Sequence, residues 1–335
     1  MNIAEIAKMA GVSPAAVSRY FNSGYISDEK REAIRRVVEK TGYRPSLQAQ
    51  TLRTKRTKLI GVIIPRIDSA SIGSVVAGIL SVLDEGGYQM LLADTQNDPE
   101  REKEYLTIFD EKQVDGVIFA ATVFTPEHRR IMKNMPVPVV VTGQKLDGYN
   151  CVYHDDYHAA YDITNLILSK GKKRLGFISA PHQDQAAGLE RFRGYSDAVR
   201  KAGLEELAEN YVISEFSMKS GCEKMKELME KCGGLDAVIC ATDTIAAGGL
   251  QYLKQQGIRL PEQMMLAGHG NSAISDVMTP ALTTVQYFYE ESGALSARIL
   301  LENIENRDTA VKGIKMGYRL VEKESTGGLY DVEGQ

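Results

Sequence analysis

Residues 3–22, IAEIAKMAGVSPAAVSRYFN, constrain the fold most, because they confine two short helices to a tight turn. Asn2 precedes the first helix with Glu5 three residues on, a capping-box spacing, and Ile3, Ile6, Ala7 and Ala10 recur along one helical face. Gly11 supplies the backbone conformation that ends this helix, and Val12 plugs the turn. Ser13 then caps a second helix that begins with Pro14. Its start, Pro14, Ala15 and Ala16, is small enough for a major groove, while Ser18 offers a hydroxyl and Arg19 a fork able to hold guanine at two points. Val17, Tyr20 and Phe21 face inward. A third helix runs from its cap Ser27 past Asp28 and Glu29, through Ile34, Val37 and Val38, to Lys40 and a stop at Gly42. Together these signals predict a three-helix, helix-turn-helix DNA-binding domain over residues 1–45.

Charge divides the chain at the same place. Residues 1–58 carry 12 Lys and Arg against 5 Asp and Glu, net +7, while the remainder carries net −11, giving −4 for the whole. A basic head neutralises phosphates and an acidic body is repelled by them, so only the head is expected to touch nucleic acid. From Tyr43 the chain reads YRPSLQAQTLRTKRTK, a segment too short for a self-standing helix, so residues 46–58 are expected to form a hinge helix and linker that DNA orders. Leu52 is a candidate minor-groove wedge, with Arg53, Lys55 and Arg56 near phosphates. The candidate DNA contacts are Ser13, Pro14, Ala15, Ala16, Ser18, Arg19, Asn22 and Tyr43 in the head, and Ala49, Leu52 and Arg53 in the linker.

The body has a different rhythm. Apolar runs at 59–64, 88–93, 114–120 and 137–142 alternate with helical stretches near 72–86, 100–112 and 125–134. The pattern restarts at 174–179, 211–214, 236–241 and 264–268, which predicts two α/β lobes of doubly wound parallel sheet over residues 59–325, followed by a flexible tail, 326–335. About 275 residues exceed one comfortable core and suit two lobes. Open parallel sheets bind ligands beyond the carboxyl ends of their strands, so a small molecule belongs in the cleft between lobes. The polar residues there are Arg66, Asp68, Ser69 and Ser71 after the first run, Gln144 after the fourth, and His182, Asp184, Arg191, Thr242, Asp243 and Asn271 in the second half. Such carboxylates, amides and guanidinium groups match sugar hydroxyls, with Tyr289 or Phe288 as an aromatic floor.

GVSPAAVSRYFN, YRPSLQAQTLR and KLIGVIIP resemble the start of a bacterial repressor of the lactose and galactose repressor (LacI/GalR) family, and the similarity runs through nearly the whole chain. That resemblance implies a periplasmic-binding-protein-like body and a homodimer on a pseudo-palindromic operator, with Leu52 intercalating beside Ala49, and with Pro14, Ala15 and Arg19 reading bases. It also implies effector contacts at Arg191, at Thr242 and Asp243, and at Tyr289. GHGNS departs from the family by placing Gly270 and Asn271 where many relatives have an aspartate that takes two sugar hydroxyls. PRIDS, GFISAPHQDQAAG and CATDTIAAG are similar to the disaccharide branch, the trehalose and sucrose operon repressors. The expected function is a repressor of a carbohydrate-utilisation operon, released by a disaccharide or its 6-phosphate. Arg66 and Arg191 together suit a phosphate, unless Arg66 simply pairs with Asp68. Alternatives are a corepressor-dependent regulator with a purine-like effector, and a sugar-binding module without gene control.

Other chemistry finds little support. His154 and His158 with Asp155 and Asp156 have a spacing a metal could use, but paired aspartates opening a helix read as an N-terminal charge pair, so no metal is expected. Cys151, Cys222, Cys232 and Cys240 form no CxxC pair and read as thiols of a reducing compartment. Neither a phosphate loop nor a nucleophile elbow is present, so neither a cofactor nor enzymatic catalysis is expected. Without a membrane-length apolar span or signal-peptide core, the expected location is cytoplasmic. The last residues lack the apolar heptads of a tetramerising helix, so a dimer is expected.

Overall fold

The computed structural model describes residues 1–21, 24–43, 56–120, 122–205, 208–306 and 310–328. The chain divides into two compact units, Met1–Leu59 and Ile60–Gln335. Asn22, Ala49, Leu52, Arg53 and most of the expected hinge lie outside the described residues.

In the first unit, α1 (Ile3–Ala10), α2 (Pro14–Phe21) and α3 (Asp28–Thr41) close over Ile6, Ala7, Ala16, Val17, Ile26 and Ile34. The caps act locally. Asn2 Oδ1 accepts from the Glu5 amide at 3.0 Å while the Glu5 carboxylate accepts from the Asn2 amide at 3.0 Å, and Gly11 ends α1 at φ +65°. Ser27 occupies the N-cap of α3 without a side-chain capping bond, which leaves Asp28 and Glu29 to meet the positive helix end.

The second unit is two-lobed, and its chain crosses between lobes three times. The first lobe takes β1 (Leu59–Ile64), α4 (Ala70–Glu85), β2 (Gln89–Asp94), α5 (Pro99–Glu111), β3 (Gly116–Phe119), α6 (Pro126–Asn134), β4 (Val139–Thr142) and β5 (Asn150–His154). The chain then builds the second lobe from α7 (Asp156–Ser169), β6 (Leu175–Ser179), α8 (Arg191–Lys201), β7 (Tyr211–Ile213), α9 (Met218–Lys231), β8 (Ala237–Cys240), α10 (Asp243–Gln255), β9 (Met265–Ala267), α11 (Ala273–Val277) and β10 (Thr284–Tyr287). It returns through α12 (Tyr289–Glu305) and β11 (Gly313–Met316), and crosses back as β12 (Tyr318–Val321).

The first-lobe sheet has the order β11-β5-β4-β3-β1-β2, and its β11–β5, β5–β4, β4–β3 and β3–β1 pairings are parallel. The second-lobe sheet, β7-β6-β8-β9, is parallel throughout, while β10 pairs antiparallel with β12 and continues the sheet through a bridge from Thr283 to Ala267. Strands buried on both faces explain the continuous apolar runs: β3, β4, β6 and β8 have no exposed residue.

Helix pairs in both lobes touch backbone to backbone. A Cβ on Gly78 of α4 would lie 1.9 Å from the Glu290 carbonyl oxygen, and one on Gly293 of α12 would lie 2.0 Å from that of Val75. Gly221 and Gly248 allow the same approach of α9 to α10. Alanine at any of these points forces the helices apart.

The body extends further than its expected end. Thr326 is fully buried, its Oγ1 lies 2.7 Å from Thr283 Oγ1, and Lys323 is buried beneath α11 with its Nζ on Asp276 at 2.6 Å. These non-local bonds draw Thr326 into the core, whereas residues 329–335 lie outside the described residues. No helix among the described residues is long and apolar enough to cross a membrane.

Candidate functional site

In the head, α2 is held at its start and along its inner face. Ser13 Oγ accepts from the Ala16 amide at 3.2 Å, and Val17, fully buried, anchors α2 to α1 and α3. Ser13, Pro14, Ala15 and Arg19 are exposed and Ser18 is half-buried, but Ala16 is only 5% exposed. Ala16 shares the inner face with Tyr20 one turn on and packs in the core of the head. Tyr43 packs edge-on against Phe21 with ring centres 5.8 Å apart. On α3, Arg35 holds Glu32 and Glu39 at 2.7 Å, and Arg36 holds Glu32 at 3.3 Å.

In the body, a buried ion pair joins the starts of α7 and α8. Arg191, at the start of α8, is 5% exposed; its guanidinium donates to Asp156 Oδ1 at 2.7 and 2.8 Å and to the Ala241 carbonyl at 2.6 Å, and it lies 4.7 Å from the centre of the Tyr287 ring. His154 sits edge-on to Tyr287 and Tyr289 at 5.2 and 5.3 Å, and His269 stacks beside Tyr287 at 6.4 Å. Two imidazole nitrogens here, Nε2 of His154 and Nε2 of His269, are buried without a hydrogen-bond partner. The other ring nitrogen of His269 lies 2.9 Å from the Cys240 carbonyl oxygen.

Burial, with the neighbouring Arg191 cation as a second cause, holds the His269 pKa down to about 3. The unfolded chain therefore binds a proton that the native chain refuses, so this residue makes stability fall as pH drops from about 6.5 towards 3, by at most about 1.4 kcal/mol per pH unit. Urea unfolding of His269→Phe between pH 7 and 5 is expected to show a shallower acid loss than the parent chain. Equal slopes would refute the assignment.

Several expected ligand residues hold the framework. Arg66 forks onto Asp68 at 2.6 and 2.8 Å and reaches across to the Phe216 carbonyl at 3.1 Å, and Ser69 Oγ lies 3.0 Å from Ser71 Oγ. Thr242 caps α10 through the Ile245 amide. Asp243, 2% exposed, accepts from Thr284 Oγ1 at 2.5 Å and from the Ser272 amide and hydroxyl at 2.8 and 3.1 Å, filling the space that Gly268 and Gly270 leave beside it. Asn271 Oδ1 accepts from Lys323 at 2.9 Å. Asp184 accepts from the Ala186 and Ala187 amides at 3.0 and 2.9 Å, and burial pushes its carboxyl up to about 6. Gln144 is 5% exposed, His182 half-buried and Tyr289 half-buried. Asp156, His154, His269 and Tyr287 surround Arg191 and were not among the expected ligand residues; for His154 and Asp156 the signal available was the HDDYH stretch after the apolar NCVY run. Asp155 caps α7, and among the described residues no group of three or more His, Cys, Asp or Glu is placed to hold a metal.

Residues 2–46 match the model for bacterial regulatory proteins of the lacI family, and residues 164–326 match a periplasmic binding protein-like domain. The sucrose operon repressor of Staphylococcus xylosus is 30% identical over 308 residues, 91% of this chain and 94% of that one. Catabolite control protein A of Priestia megaterium is 28% identical over 332 residues, covering 97% and 99%. Among solved structures, a complex of the transcriptional regulator CelR with cellobiose is 26% identical with a TM-score of 0.75, covering 97% and 99%. The lac repressor dimer bound to operator, 21% identical at a TM-score of 0.88, has the same fold over 97% of this chain and 99% of that one. A head and body of this geometry, matched nearly end to end by a relative at 30% identity, place the chain in a family: it belongs to the lacI family of bacterial regulatory proteins.

Proposed function

We propose that this chain is an operator-binding repressor that works as a homodimer and is released by a carbohydrate in the cleft of its body. The observation that carries the carbohydrate reading is the pair of orphaned imidazole nitrogens, His154 Nε2 and His269 Nε2, buried beside Arg191, Tyr287 and Tyr289. Buried polar atoms need partners, and a ring of hydroxyls supplies them while its apolar face lies on tyrosine. A sucrose operon repressor and a cellobiose-bound regulator among the similar proteins support the same class.

In this reading Ser13, Pro14, Ala15, Ser18 and Arg19 face the operator, residues 1–45 form the head, 46–58 the linker and 59–328 the body. Arg191, Gln144, His182 and Tyr289, with His154 and His269, face the sugar. The protein acts by binding rather than catalysis, in the cytoplasm beside the DNA. A gel shift on a palindromic fragment is expected to show binding that weakens steeply with salt and is lowered about 5- to 150-fold by a cognate sugar. Retention that no sugar alters would overturn the effector half of the proposal, and equal affinity for random duplex would overturn the operator half.

A further inference from the structure

Beside the Arg191–Asp156 pair, a cavity of about 530 Å³ opens at the ends of β4, β5 and β11, within the roughly 300–1,000 Å³ range of small-molecule sites. Its far wall is Gln185–Glu190, a six-residue π-helical stretch, a rare form concentrated at functional sites. Arg191, Asn271 and Tyr289 do not line this cavity, but Asp156 and His154 do, so it shares a wall with the cleft.

The cavity's chemistry suits an uncharged ring. Tyr153 and Tyr157 give aromatic faces, and Gln144 and Gln185 give amides that both donate and accept. Its cations are already matched: Lys315 holds Asp155 at 2.6 Å and Arg193 holds Glu190 at 2.7 Å. Lys145 holds Asp147 at 3.1 Å. The cleft repeats the pattern, with Arg191 on Asp156 at 2.7 Å and Arg66 on Asp68 at 2.6 Å. A phosphate reaching any of these cations meets a carboxylate at the same distance, and that repulsion disfavours it.

Building on the carbohydrate reading above, we infer that this side cavity is the subsite for a second glycosyl ring, so the effector is a neutral disaccharide or longer saccharide and not a sugar phosphate. One ring lies on Arg191 and the next passes Asp156 into the cavity. Lys315, Arg193 and Gln144 then act as hydroxyl ligands, their charges balanced within the protein.

The test is calorimetry on the full chain with glucose, trehalose, sucrose, maltose, cellobiose, trehalose 6-phosphate and sucrose 6-phosphate, repeated on Arg193→Ala and Tyr157→Ala. Arg193 is 58% exposed, and the unfolding midpoint of each variant confirms that it is folded. At least one neutral disaccharide is expected to bind ten or more times tighter than glucose, with neither phosphate tighter still. In both variants that ratio falls to threefold or less. Equal affinity for glucose and every disaccharide, a phosphate bound tenfold tighter than its parent sugar, or an unchanged ratio in both folded variants would overturn the second-ring subsite and leave the carbohydrate reading standing. Binding of no sugar at all would overturn both.

Discussion

Asp156→Ala is expected to lower the unfolding free energy of the body by about 3–5 kcal/mol, the usual cost of removing one partner of a buried ion pair. The size follows from what is left behind. Arg191 keeps its charge, is 5% exposed, and loses the two short bonds to Asp156 Oδ1, its carboxylate partner, while keeping its bond to the Ala241 carbonyl. The pair ties the starts of two second-lobe helices together, since Asp156 opens α7 just after the chain leaves β5 and Arg191 opens α8. Urea titration measures the loss, and a cost below about 1 kcal/mol would show that the pair is wet and weak. The double variant Asp156→Leu/Arg191→Met is expected to regain most of the stability, because neither charge remains to be desolvated. It should still fail to bind sugar, which separates the stabilising role of the pair from its proposed ligand role.

That pair also shows where sequence reading stops. Arg191 was legible from its LERFRGY setting, but Asp156 lies 35 positions away and Ala241 50 positions away, and no spacing rule connects them. The head was legible almost throughout because its signals are local: Asn2 to Glu5, Gly11, and Ser13 to the Ala16 amide each act within one turn. The burial of Ala16 was not legible, because a small residue at the start of a helix suits surface and core equally and its packing in the cluster with Ile34 is non-local. The long apolar strands were legible, being buried on both faces. The strands β5, β10, β11 and β12 were not, since each mixes polar with apolar residues and β11 alternates exposed and half-buried positions at a sheet edge. Because β5 and β10 lead directly into the lobe crossings, Tyr287 at the end of β10 went unread and His154 at the end of β5 was weighed only for a metal.

Arg19→Ala is expected to produce the largest change in DNA binding. Arg19 is exposed on a helix whose other side is locked by Val17 and Ala16 and whose start is fixed by Ser13, so its fork is held on a rigid support. A two-point contact with guanine discriminates by about 1–3 kcal/mol, and a homodimer makes it twice, so operator affinity should fall by roughly 2–6 kcal/mol. At 1.4 kcal/mol per decade that is about 30-fold to 20,000-fold. Lys30→Ala provides the contrast: if this exposed lysine on α3 meets a phosphate, its loss weakens operator and random duplex alike and flattens the salt dependence by about one unit per head. Fluorescence anisotropy on operator and random fragments at several salt concentrations distinguishes the two. If Arg19→Ala weakens both fragments equally, Arg19 is a phosphate clamp, and readout must come from Ser18 and the small residues at the start of α2.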